Sequence, residues 1–375
     1  MSEETHYAPL DPATVKPAFE RNNIAVFFAS DNNYAPLLGV AVASAAANGS
    51  VGNNYDFLIL DDNITNINRK KIATSIAGRP NCYLRFLDSA ACFNRLDPSF
   101  WHTSLDYSRI VNVRLFAASI FPGYDKIIYL DCDLIVMTDL AELFHTDLEG
   151  QPLGAARDFG MMKINHKSAK VAGYYKKLLG WDSMTDYFNS GVMVLDLKAM
   201  RATSLEDEFL TQIKKLTRPL YPNQDVLNPV CRGRVKYLDP AWNVLEPMAG
   251  DPDQLTGWDF IPEPLRLNGL RAGLDPKIIH FVGRGRPWLV NRNYSQVDHH
   301  FWQYARLTPY YERLLTHSTP DFDLLKTAAN LPWLKFRYYR YALIAFLPLG
   351  RISAKYRLRK QKLKKELDRL KRSFR

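Results

Sequence analysis

The sequence predicts an α/β protein in which a mixed, mostly parallel sheet carries helices on both faces and a basic helical extension follows. Three observations favour this fold class. Apolar segments of strand length alternate with segments of helical length over residues 23–316. Asp and Asn cluster directly after several predicted strands, and near residue 331 the composition becomes aromatic and basic. Regular alternation of strands and helices is typical of a parallel sheet covered on both faces.

The first half of the chain supplies four strands, and the first and the fourth are apolar runs of the kind that forms a buried strand. We predict these strands at residues 23–30, 55–60, 82–88 and 125–131. The helices between them are predicted at residues 34–49, 64–78 and 106–121. The first helix is rich in small residues and ends at Gly49.

The second half continues the alternation less regularly. Predicted strands cover residues 152–158, 187–197 and 276–288, the last of which runs into a Gly/Arg loop. Predicted helices cover residues 205–217, 223–230 and 298–316. Residues 243–275 form a Pro/Gly-rich insertion to which the pattern assigns no element. Because ligands bind beyond the carboxyl ends of strands in open sheets, we expect functional residues in the loops that follow these strands.

Composition divides the chain into four parts: a flexible N-terminal segment (1–22), a main α/β domain (23–295), a helical part (296–334) and a basic tail (335–375). The formal net charge is +10. The tail alone contains 15 Lys/Arg and 2 Asp/Glu, which leaves 34 Lys/Arg and 37 Asp/Glu for the rest of the chain. The basic character therefore resides in the tail, and such a cluster predicts contact with an anionic surface.

The tail has the pattern of an amphipathic helix. Its apolar residues fall near one helical face, and Lys and Arg cover the others; the apolar residues are Ile352, Tyr356, Leu363, Leu367, Leu370 and Phe374. This pattern is typical of an interfacial helix on an anionic membrane, where each basic residue contributes about 1 kcal/mol. A solvated helix or a coiled-coil stub is the alternative interpretation. Nucleic-acid binding is disfavoured because no recognised motif accompanies the charge.

Composition also bears on the compartment. The four cysteines form no CxxC pair and are too few for a disulfide framework, so reduced thiols are expected. The first 23 residues lack the apolar core of a signal peptide. The best apolar run, "YALIAFLPLG", is about half the roughly 18 residues that a membrane span needs. We expect a cytoplasmic protein, attached peripherally to the inner face of the cytoplasmic membrane.

The stretch "IIYLDCDLIV" (127–136) is an apolar strand interrupted by Asp131 and Asp133. Carboxylates at i and i+2 point to the same side of an extended segment. Two like charges held that close repel each other unless a cation lies between them. A hard divalent metal suits carboxylate oxygens and retains open positions for a phosphate. The pattern therefore favours a metal that holds a diphosphate; a turn with two solvated aspartates is the alternative.

Six motifs follow one another along the chain: "FFASDNNY", "VRLFAASIFPGYDKIIYLDCDLIV", "LGAARD", "YFNSGVMVLDLK", "NQDVLN" and "IHFVGRGRPW". Each motif alone is weak, but their order and spacing together are specific. Together they resemble the retaining glycosyltransferases of family 8, which have the GT-A fold and include bacterial lipopolysaccharide galactosyl- and glucosyltransferases and glycogenin. The resemblance covers roughly residues 23–290.

The resemblance implies a metal site and a nucleotide site. Asp131, Asp133 and His280 match metal ligands, which suits Mn²⁺, with Mg²⁺ also possible. The remaining matches to nucleotide- and diphosphate-contacting positions are Ala29, Asp31, Asn33, Cys132, Gly283 and Arg286. The family commonly has Lys where this chain has Arg286. Since Arg can bind phosphate in a bidentate manner, we expect function to be retained with altered geometry.

The resemblance also implies a sugar pocket and catalytic residues. Arg114 matches an arginine near the donor sugar and diphosphate, with Arg109 a poorer match by its spacing to Asp131. The other matches to the pocket are Asp158, Asn189, Gln224 and Asp225. Family members often have Asp where this chain has Asn223, which bears on hydroxyl recognition and hence on the identity of the sugar.

The implied activity is transfer of galactose or glucose from a UDP-sugar to a glycan or lipid-linked acceptor, in lipopolysaccharide or surface-polysaccharide synthesis. Retention is expected through front-face attack, because the position beneath the sugar is Gln224, a poor nucleophile; Asp158 and Asp225 are alternative nucleophiles. Two other functions remain open. One is a non-catalytic nucleotide-sugar or glycan-binding protein, and the other is a nucleotide-sugar hydrolase.

Overall fold

The computed structural model describes residues 8–93, 109–181, 183–216, 219–249, 258–283, 286–289, 297–318, 338–340, 342 and 359–364. The chain divides into two compact units. The first comprises residues 1–282 and 295–311, and the second comprises residues 283–294 and 312–375.

The strands of the described part are β1 (Asn23–Asp31), β2 (Asn54–Asp62), β3 (Cys82–Asp88), β4 (Lys126–Leu130), β5 (Leu134–Val136), β6 (Leu153–Arg157), β7 (Phe188–Asp196), β8 (Val235–Tyr237), β9 (Val244–Leu245) and β10 (Ile278–His280). Its α-helices are α1 (Ala35–Asn48), α2 (Asn66–Thr74), α3 (Ser89–Phe93), α4 (Ala117–Ile120), α5 (Leu140–Phe144), α6 (Phe159–Lys167), α7 (Ala169–Leu179), α8 (Leu197–Ala202), α9 (Leu205–Lys215), α10 (Gln224–Val230), α11 (Glu263–Leu274), α12 (Asp298–Ala305) and α13 (Tyr311–Ser318).

The predicted mostly parallel sheet is confirmed. Seven strands form one sheet in the order β3-β2-β1-β4-β7-β6-β8, in which only the two pairings of β7 are antiparallel. A second sheet of three strands has the order β5-β10-β9. The parallel strands of the large sheet place their carboxyl ends at one edge, and β7 begins at that same edge because it runs the opposite way.

The centre of the large sheet is buried on both faces, as the continuous apolar runs predicted. Ile24 through Phe28 are at most 1% exposed in β1, and β2 is buried from Tyr55 onwards. In α1 the small side chains allow close packing, and every residue from Ala35 to Ala46 is buried. The Ser44 hydroxyl donates to the Ala41 carbonyl of α1 and accepts from the backbone N–H of Val136, which ties α1 to β5.

Two predicted helices differ from the structure. Of the helix predicted at residues 106–121, residues 106–108 lie outside the described part, residues 109–116 form a 3-10 helix, and only α4 is α-helical. The helix predicted at residues 298–316 is divided into α12 and α13. The interruption falls at Pro309, which lacks a backbone N–H and disfavours the helical conformation of the residue before it.

The insertion at residues 243–275 contains elements that the pattern did not predict. Its described part includes β9 and α11, which begins after Pro262 with Pro264 in the first turn. Proline is tolerated there because the first helical N–H groups have no partner within the helix. Of the strand predicted at residues 276–288, the described residues contain β10 as their one strand, and residues 284 and 285 lie outside the described part.

The segment before β1 also differs from the flexible lead-in predicted for residues 1–22. Leu10 pairs with β3, donating to the Phe86 carbonyl at 2.9 Å and accepting from the Asp88 N–H at 2.8 Å. Farther along, the Ala18 N–H donates to the buried carboxylate of Asp56 in β2. These contacts fix residues 10–18 along the strands.

The second unit contains the predicted basic tail. Residues 338–340 and 359–364 are helical, and Lys360 lies 5.9 Å from the centre of the Tyr338 ring. Of the residues predicted to form the apolar face of the tail helix, Leu363 lies within the described part and the rest lie outside it. Among the described residues, no helix is long and apolar enough to cross a membrane.

Candidate active site

The candidate site lies at the edge of the large sheet where the parallel strands end. Asp131 directly follows β4 and Asp158 directly follows β6. Asn189 is the second residue of β7, whose first residue, Phe188, pairs with Arg157 at the end of β6. The sheet topology therefore brings together residues that are up to 58 positions apart in sequence.

Three side chains with metal-binding atoms converge at this edge. β10 pairs antiparallel with β5, so that His280 lies opposite Leu134, the residue after Asp133. The Nε2 atom of His280 lies 3.2 Å from Asp133 Oδ1 and 3.8 Å from Asp131 Oδ2. One ligand atom from each of the three residues lies within 4.8 Å of the others.

These three residues fit a divalent cation. Two carboxylates and one imidazole form a mixed oxygen–nitrogen donor set that suits a cation such as Mn²⁺. The imidazole is almost fully buried, whereas the side chains of Asp131 and Asp133 are 24% and 12% exposed. The carboxylates thus leave one side of the group open to a ligand.

Gly191 creates the space for this group. A Cβ atom at this position would lie 2.3 Å from Cε1 of His280 and 2.8 Å from Oδ2 of Asp131. Both separations are far below van der Waals contact. The Gly191 carbonyl also accepts from the backbone N–H of Asp131 at 2.8 Å, which fixes the end of β4 against β7.

Asp131 is held in place by Arg114 and Tyr129. Arg114 Nη2 lies 2.7 Å from Asp131 Oδ1, and the Tyr129 hydroxyl donates to the same oxygen at 2.8 Å. The guanidinium also donates to the carbonyls of Val111 and Ser190 and lies 4.2 Å from the centre of the Tyr129 ring. Burial, the largest single influence, would lower the pKa of Arg114, but the charge and hydrogen bond of Asp131 together with Tyr129 and Asp133 raise it overall. Arg114 is therefore a fully charged partner of the carboxylate.

Beside this group lies a buried set of polar side chains. Asp158 Oδ2 accepts from Asn189 Nδ2 at 2.9 Å and from Gln224 Nε2 at 3.3 Å. Its other oxygen accepts from the Met161 N–H and so caps α6. Gln224 Oε1 accepts from the backbone N–H of Ser190 at 3.1 Å. The structure thus brings three of the predicted sugar-pocket residues into one hydrogen-bonded set.

Asn243 is a member of the site that the sequence reasoning missed. It lies in the 3-10 helix Pro240–Asn243 and is 5% exposed. Its Nδ2 donates to Asn189 Oδ1 at 2.9 Å, and its Oδ1 lies 3.0 Å from Nδ1 of His280. The available sequence signal was a single polar residue inside the apolar stretch "AWNVL". Through Asn243 the metal-binding group is continuous with the set around Asp158.

Asp225 has different surroundings from the other predicted catalytic residues. Its Oδ1 accepts from the hydroxyls of Tyr175 and Tyr187, each at 3.0 Å. Its Oδ2 accepts from the Tyr174 hydroxyl and from the N–H groups of Leu220 and Tyr221. Burial, together with the Asp225 charge, raises the pKa of all three tyrosines, so their hydroxyls remain donors. Both oxygens of this fully buried carboxylate are occupied.

Asn223, which replaces the Asp common in the family, uses both ends of its amide. Its Oδ1 accepts from the Ser190 hydroxyl at 3.1 Å, and its Nδ2 donates to the Val111 carbonyl at 3.2 Å. An Asp at this position would supply no donor for that carbonyl. The amide therefore fits the local hydrogen bonding of this chain.

The predicted nucleotide-contacting residues of the first strand lie at the same edge of the sheet. Asp31 ends β1, and its Oδ1 accepts from the N–H groups of Asn33 and Tyr34 in the turn before α1. The Cys132 thiol donates to the Ala29 carbonyl at 3.4 Å, so the D-x-D segment contacts the end of β1. Burial raises the pKa of Cys132 well above its usual range. This cysteine is a packing residue with an inert thiol.

Two predicted residues belong to the second unit. Gly283 has a φ of +72°, a conformation that favours glycine. The Arg286 carbonyl accepts from the Leu289 N–H at 3.0 Å, which forms a turn.

Comparisons with known proteins agree with this architecture. A family model described as glycosyl transferase family 8 matches residues 25–292. The chain is 25% identical to the lipopolysaccharide 1,2-glucosyltransferase of Escherichia coli K12 over 321 residues, which are 84% of this chain and 83% of that one.

Solved glycosyltransferase structures share the fold. The WbbM bifunctional glycosyltransferase is 25% identical with a TM-score of 0.70, over 83% of this chain and 54% of that one. The galactosyltransferase LgtC, in complex with donor and acceptor sugar analogs, is 24% identical with a TM-score of 0.59, over 76% of this chain and 96% of that one.

Coverage of relatives varies: the chain spans about half of WbbM, and a Haemophilus influenzae relative is matched over 62% of its length. Because the family model matches well over half of the chain, this protein belongs to glycosyltransferase family 8, a family of GT-A-fold enzymes.

Proposed function

We propose that this protein transfers galactose or glucose from a UDP-sugar to a glycan or glycolipid acceptor, with retention of the anomeric configuration. The observation that carries the proposal is that Asn243 bridges two groups: the Asp131, Asp133 and His280 cluster, and the buried polar set of Asp158, Asn189 and Gln224. A diphosphate-binding metal beside a pocket of hydroxyl-binding side chains is an arrangement suited to transfer from a nucleotide sugar.

Asp131, Asp133 and His280 would hold a divalent metal, with Mn²⁺ preferred and Mg²⁺ possible. When bound, such a metal neutralises charge on the departing diphosphate as a Lewis acid. Arg114 acts on the same charge indirectly, because its guanidinium is buried against Asp131 and fixes the orientation of that carboxylate. In the Gly/Arg loop, Arg286 would add a cation for the phosphates and Gly283 would allow the turn of the backbone.

Ala29, Asp31, Asn33 and Cys132 would line the nucleotide side of the site. The support for this assignment is their position at the end of β1 and beside the D-x-D segment. Backbone groups there are accessible at the carboxyl edge of the sheet, where nucleotides bind in α/β folds.

Asp158, Asn189 and Gln224 would bind the hexose. Each holds the next in a defined orientation, so hydroxyl groups of the sugar meet fixed donors and acceptors. The Asn223 amide would alter this recognition relative to relatives with Asp. These contacts would determine which hexose binds, and turnover of a panel of nucleotide-sugar donors measures that choice.

Retention would proceed by front-face attack. The acceptor oxygen bonds to C1 on the face from which the diphosphate leaves, and the acceptor proton passes to the departing phosphate oxygen. Gln224 would stabilise the oxocarbenium-like state through its amide oxygen. Asp225 is disfavoured as a nucleophile because both of its oxygens accept hydrogen bonds. A covalent glycosyl adduct trapped on Asp158 or Asp225 would contradict front-face attack.

The acceptor would be a glycan or a lipid-linked glycan at the inner face of the cytoplasmic membrane, in lipopolysaccharide or surface-polysaccharide synthesis. Support comes from the E. coli relative, which is named as a lipopolysaccharide 1,2-glucosyltransferase, and from the LgtC complex with an acceptor sugar analog. The basic tail would bind the anionic membrane surface.

Donor turnover tests the proposal. The purified protein is incubated with Mn²⁺ and a panel of UDP-, GDP-, ADP- and dTDP-sugars, and release of nucleoside diphosphate is followed beside the double variant Asp131→Ala, Asp133→Ala. We expect release from one UDP-hexose, lost on chelation and in the double variant. Tight UDP binding without release from any donor, even when candidate acceptors are added, would favour a non-catalytic binding protein. Release that acceptors never divert into a glycoside would favour a hydrolase.

A further inference from the structure

The hydrogen bonds around Asn189 fix which way its amide points. The backbone N–H of Gly191, which can only donate, lies 2.9 Å from Asn189 Oδ1. On the other side, the acceptor-only carboxylate of Asp158 lies 2.9 Å from Asn189 Nδ2. In the opposite orientation, the amide NH₂ of Asn189 would face the N–H of Gly191, and its oxygen would face the carboxylate of Asp158. The oxygen of Asn189 therefore faces Asn243.

The orientation of Asn189 in turn fixes that of Asn243. Because an oxygen faces it, Asn243 presents its NH₂ group there, at 2.9 Å. Its own oxygen then faces Nδ1 of His280 at 3.0 Å. An amide oxygen only accepts hydrogen bonds, so Nδ1 must carry a hydrogen. The remaining ring nitrogen, Nε2, is the atom that faces Asp133 and Asp131.

We propose that Asn243 is a positioning residue for the metal site: it keeps the hydrogen of His280 on Nδ1, orients the ring and directs Nε2 towards the cation. The proposal rests on the metal site of the proposed function. A partner that holds the second ring nitrogen of a metal-binding histidine typically contributes 10–100-fold to metal affinity. Since Asn243 also holds Asn189, one side chain links the metal ligand to the sugar pocket.

The position of the hydrogen on His280 is tested first, on the metal-free full-length chain. Histidine-selective ¹⁵N labelling and long-range proton–nitrogen correlation spectra report which ring nitrogens are protonated, and His280→Gln assigns the signals. In the wild type we expect a hydrogen on Nδ1 of His280. In Asn243→Ala we expect that the hydrogen is no longer confined to Nδ1. A wild-type His280 with bare Nδ1 and protonated Nε2 would overturn the proposal.

Metal affinity is tested next, by titration with Mn²⁺ alone and detection of free Mn²⁺ by electron paramagnetic resonance. Asn243→Ala should bind 10–100-fold more weakly than the wild type. In Asn243→Asp the new carboxylate still accepts from His280 Nδ1, so this variant should bind Mn²⁺ at least as well as the wild type. The carboxylate offers no donor to Asn189, however, so UDP-sugar should no longer bind more tightly than UDP. Folding of both variants is checked by circular dichroism.

The outcomes separate this proposal from the proposed function. Folded Asn243→Ala with wild-type Mn²⁺ affinity would overturn the positioning role, as would equal weakening in Asn243→Ala and Asn243→Asp. A wild type that binds no Mn²⁺ would remove both the metal site of the proposed function and the positioning role for it. Normal Mn²⁺ binding without sugar transfer would contradict only the transferase function.

Discussion

At the scale of single residues, Gly191 shows how closely the backbone surrounds the metal-binding group. The Gly191→Ala variant places a methyl group 2.3 Å from His280 Cε1 and 2.8 Å from Asp131 Oδ2, so the imidazole must move. We expect Mn²⁺ affinity to fall at least about 10-fold, comparable to loss of an orienting partner, measured by isothermal titration. Gly173→Ala in α7 is the matched control, because beyond its chain neighbours and the backbone of its own helix no atom lies within 4 Å of the new Cβ. Unchanged affinity in Gly191→Ala would contradict the site geometry.

Asp225 distinguishes a structural from a catalytic carboxylate. In Asp225→Asn an NH₂ group would face donors that now meet a carboxylate oxygen. We expect the free energy of unfolding to fall by about 2–4 kcal/mol, as for other disrupted buried polar networks, measured by urea denaturation. Asp186→Asn is the control, because that side chain is 58% exposed and should change stability little. Wild-type stability with complete loss of activity would instead indicate a nucleophile.

The structure brings together predicted site residues whose motifs have a fixed relation to a strand end. Asp131, Asp133 and His280 converge because the first two follow β4 and the third ends β10. Asn243 was not predictable in the same way. Its importance depends on the pairing of β9 and β10, which brings the insertion beside His280, and no local pattern encodes that long-range contact.

At the scale of elements, a buried ion pair fixes the segment before β1 to the sheet. Arg85 of β3 lies 2.6 Å from the fully buried carboxylate of Asp56 in β2 and also donates to the Lys16 carbonyl. The Tyr124 hydroxyl donates to the same carboxylate at 2.8 Å. These bonds connect two strands, the loop before β4 and the N-terminal segment.

Removing the cation should therefore destabilise the protein strongly. Arg85→Ala leaves the Asp56 carboxylate buried without its partner, which costs about 3–5 kcal/mol in comparable buried pairs. Arg234→Ala is the matched control: its pair with Glu208 is 2.7 Å long but largely exposed, and such pairs contribute about 1 kcal/mol or less. Both are measured by urea denaturation. Equal small losses in the two variants would show that the Asp56 cluster does not secure this end of the sheet.

Element boundaries follow from sequence where burial dominates. The strands β1 to β4 match their predicted positions to within two residues, and three of them, β1, β2 and β4, are mostly buried. Helices were harder to place. α12 and α13 are separated at Pro309, and residues 109–116 form a 3-10 helix where an α-helix was predicted. α11 has little contrast between its faces, and so no periodic pattern predicted it.

At the scale of the whole molecule, charge is divided between a slightly acidic body and a strongly basic tail. The segment 350–375 alone carries 12 Lys/Arg. We expect the full-length protein to sediment with vesicles that contain anionic phospholipid, and deletion of residues 350–375 to abolish sedimentation, because each basic residue contributes about 1 kcal/mol at such a surface. Neutral phosphatidylcholine vesicles are the control. Undiminished sedimentation of the truncated protein would exclude residues 350–375 as the membrane contact.

The central claim is that Asp131, Asp133 and His280 together hold a divalent metal that binds the diphosphate of a UDP-sugar. The most direct measurement is anomalous diffraction at the manganese edge from crystals of the full-length protein grown with Mn²⁺ and UDP. We predict one strong anomalous peak among the three side chains, with UDP phosphate oxygens beside it. UDP bound at the edge of the sheet with no manganese among these residues, or manganese at a different cluster, would contradict the claim.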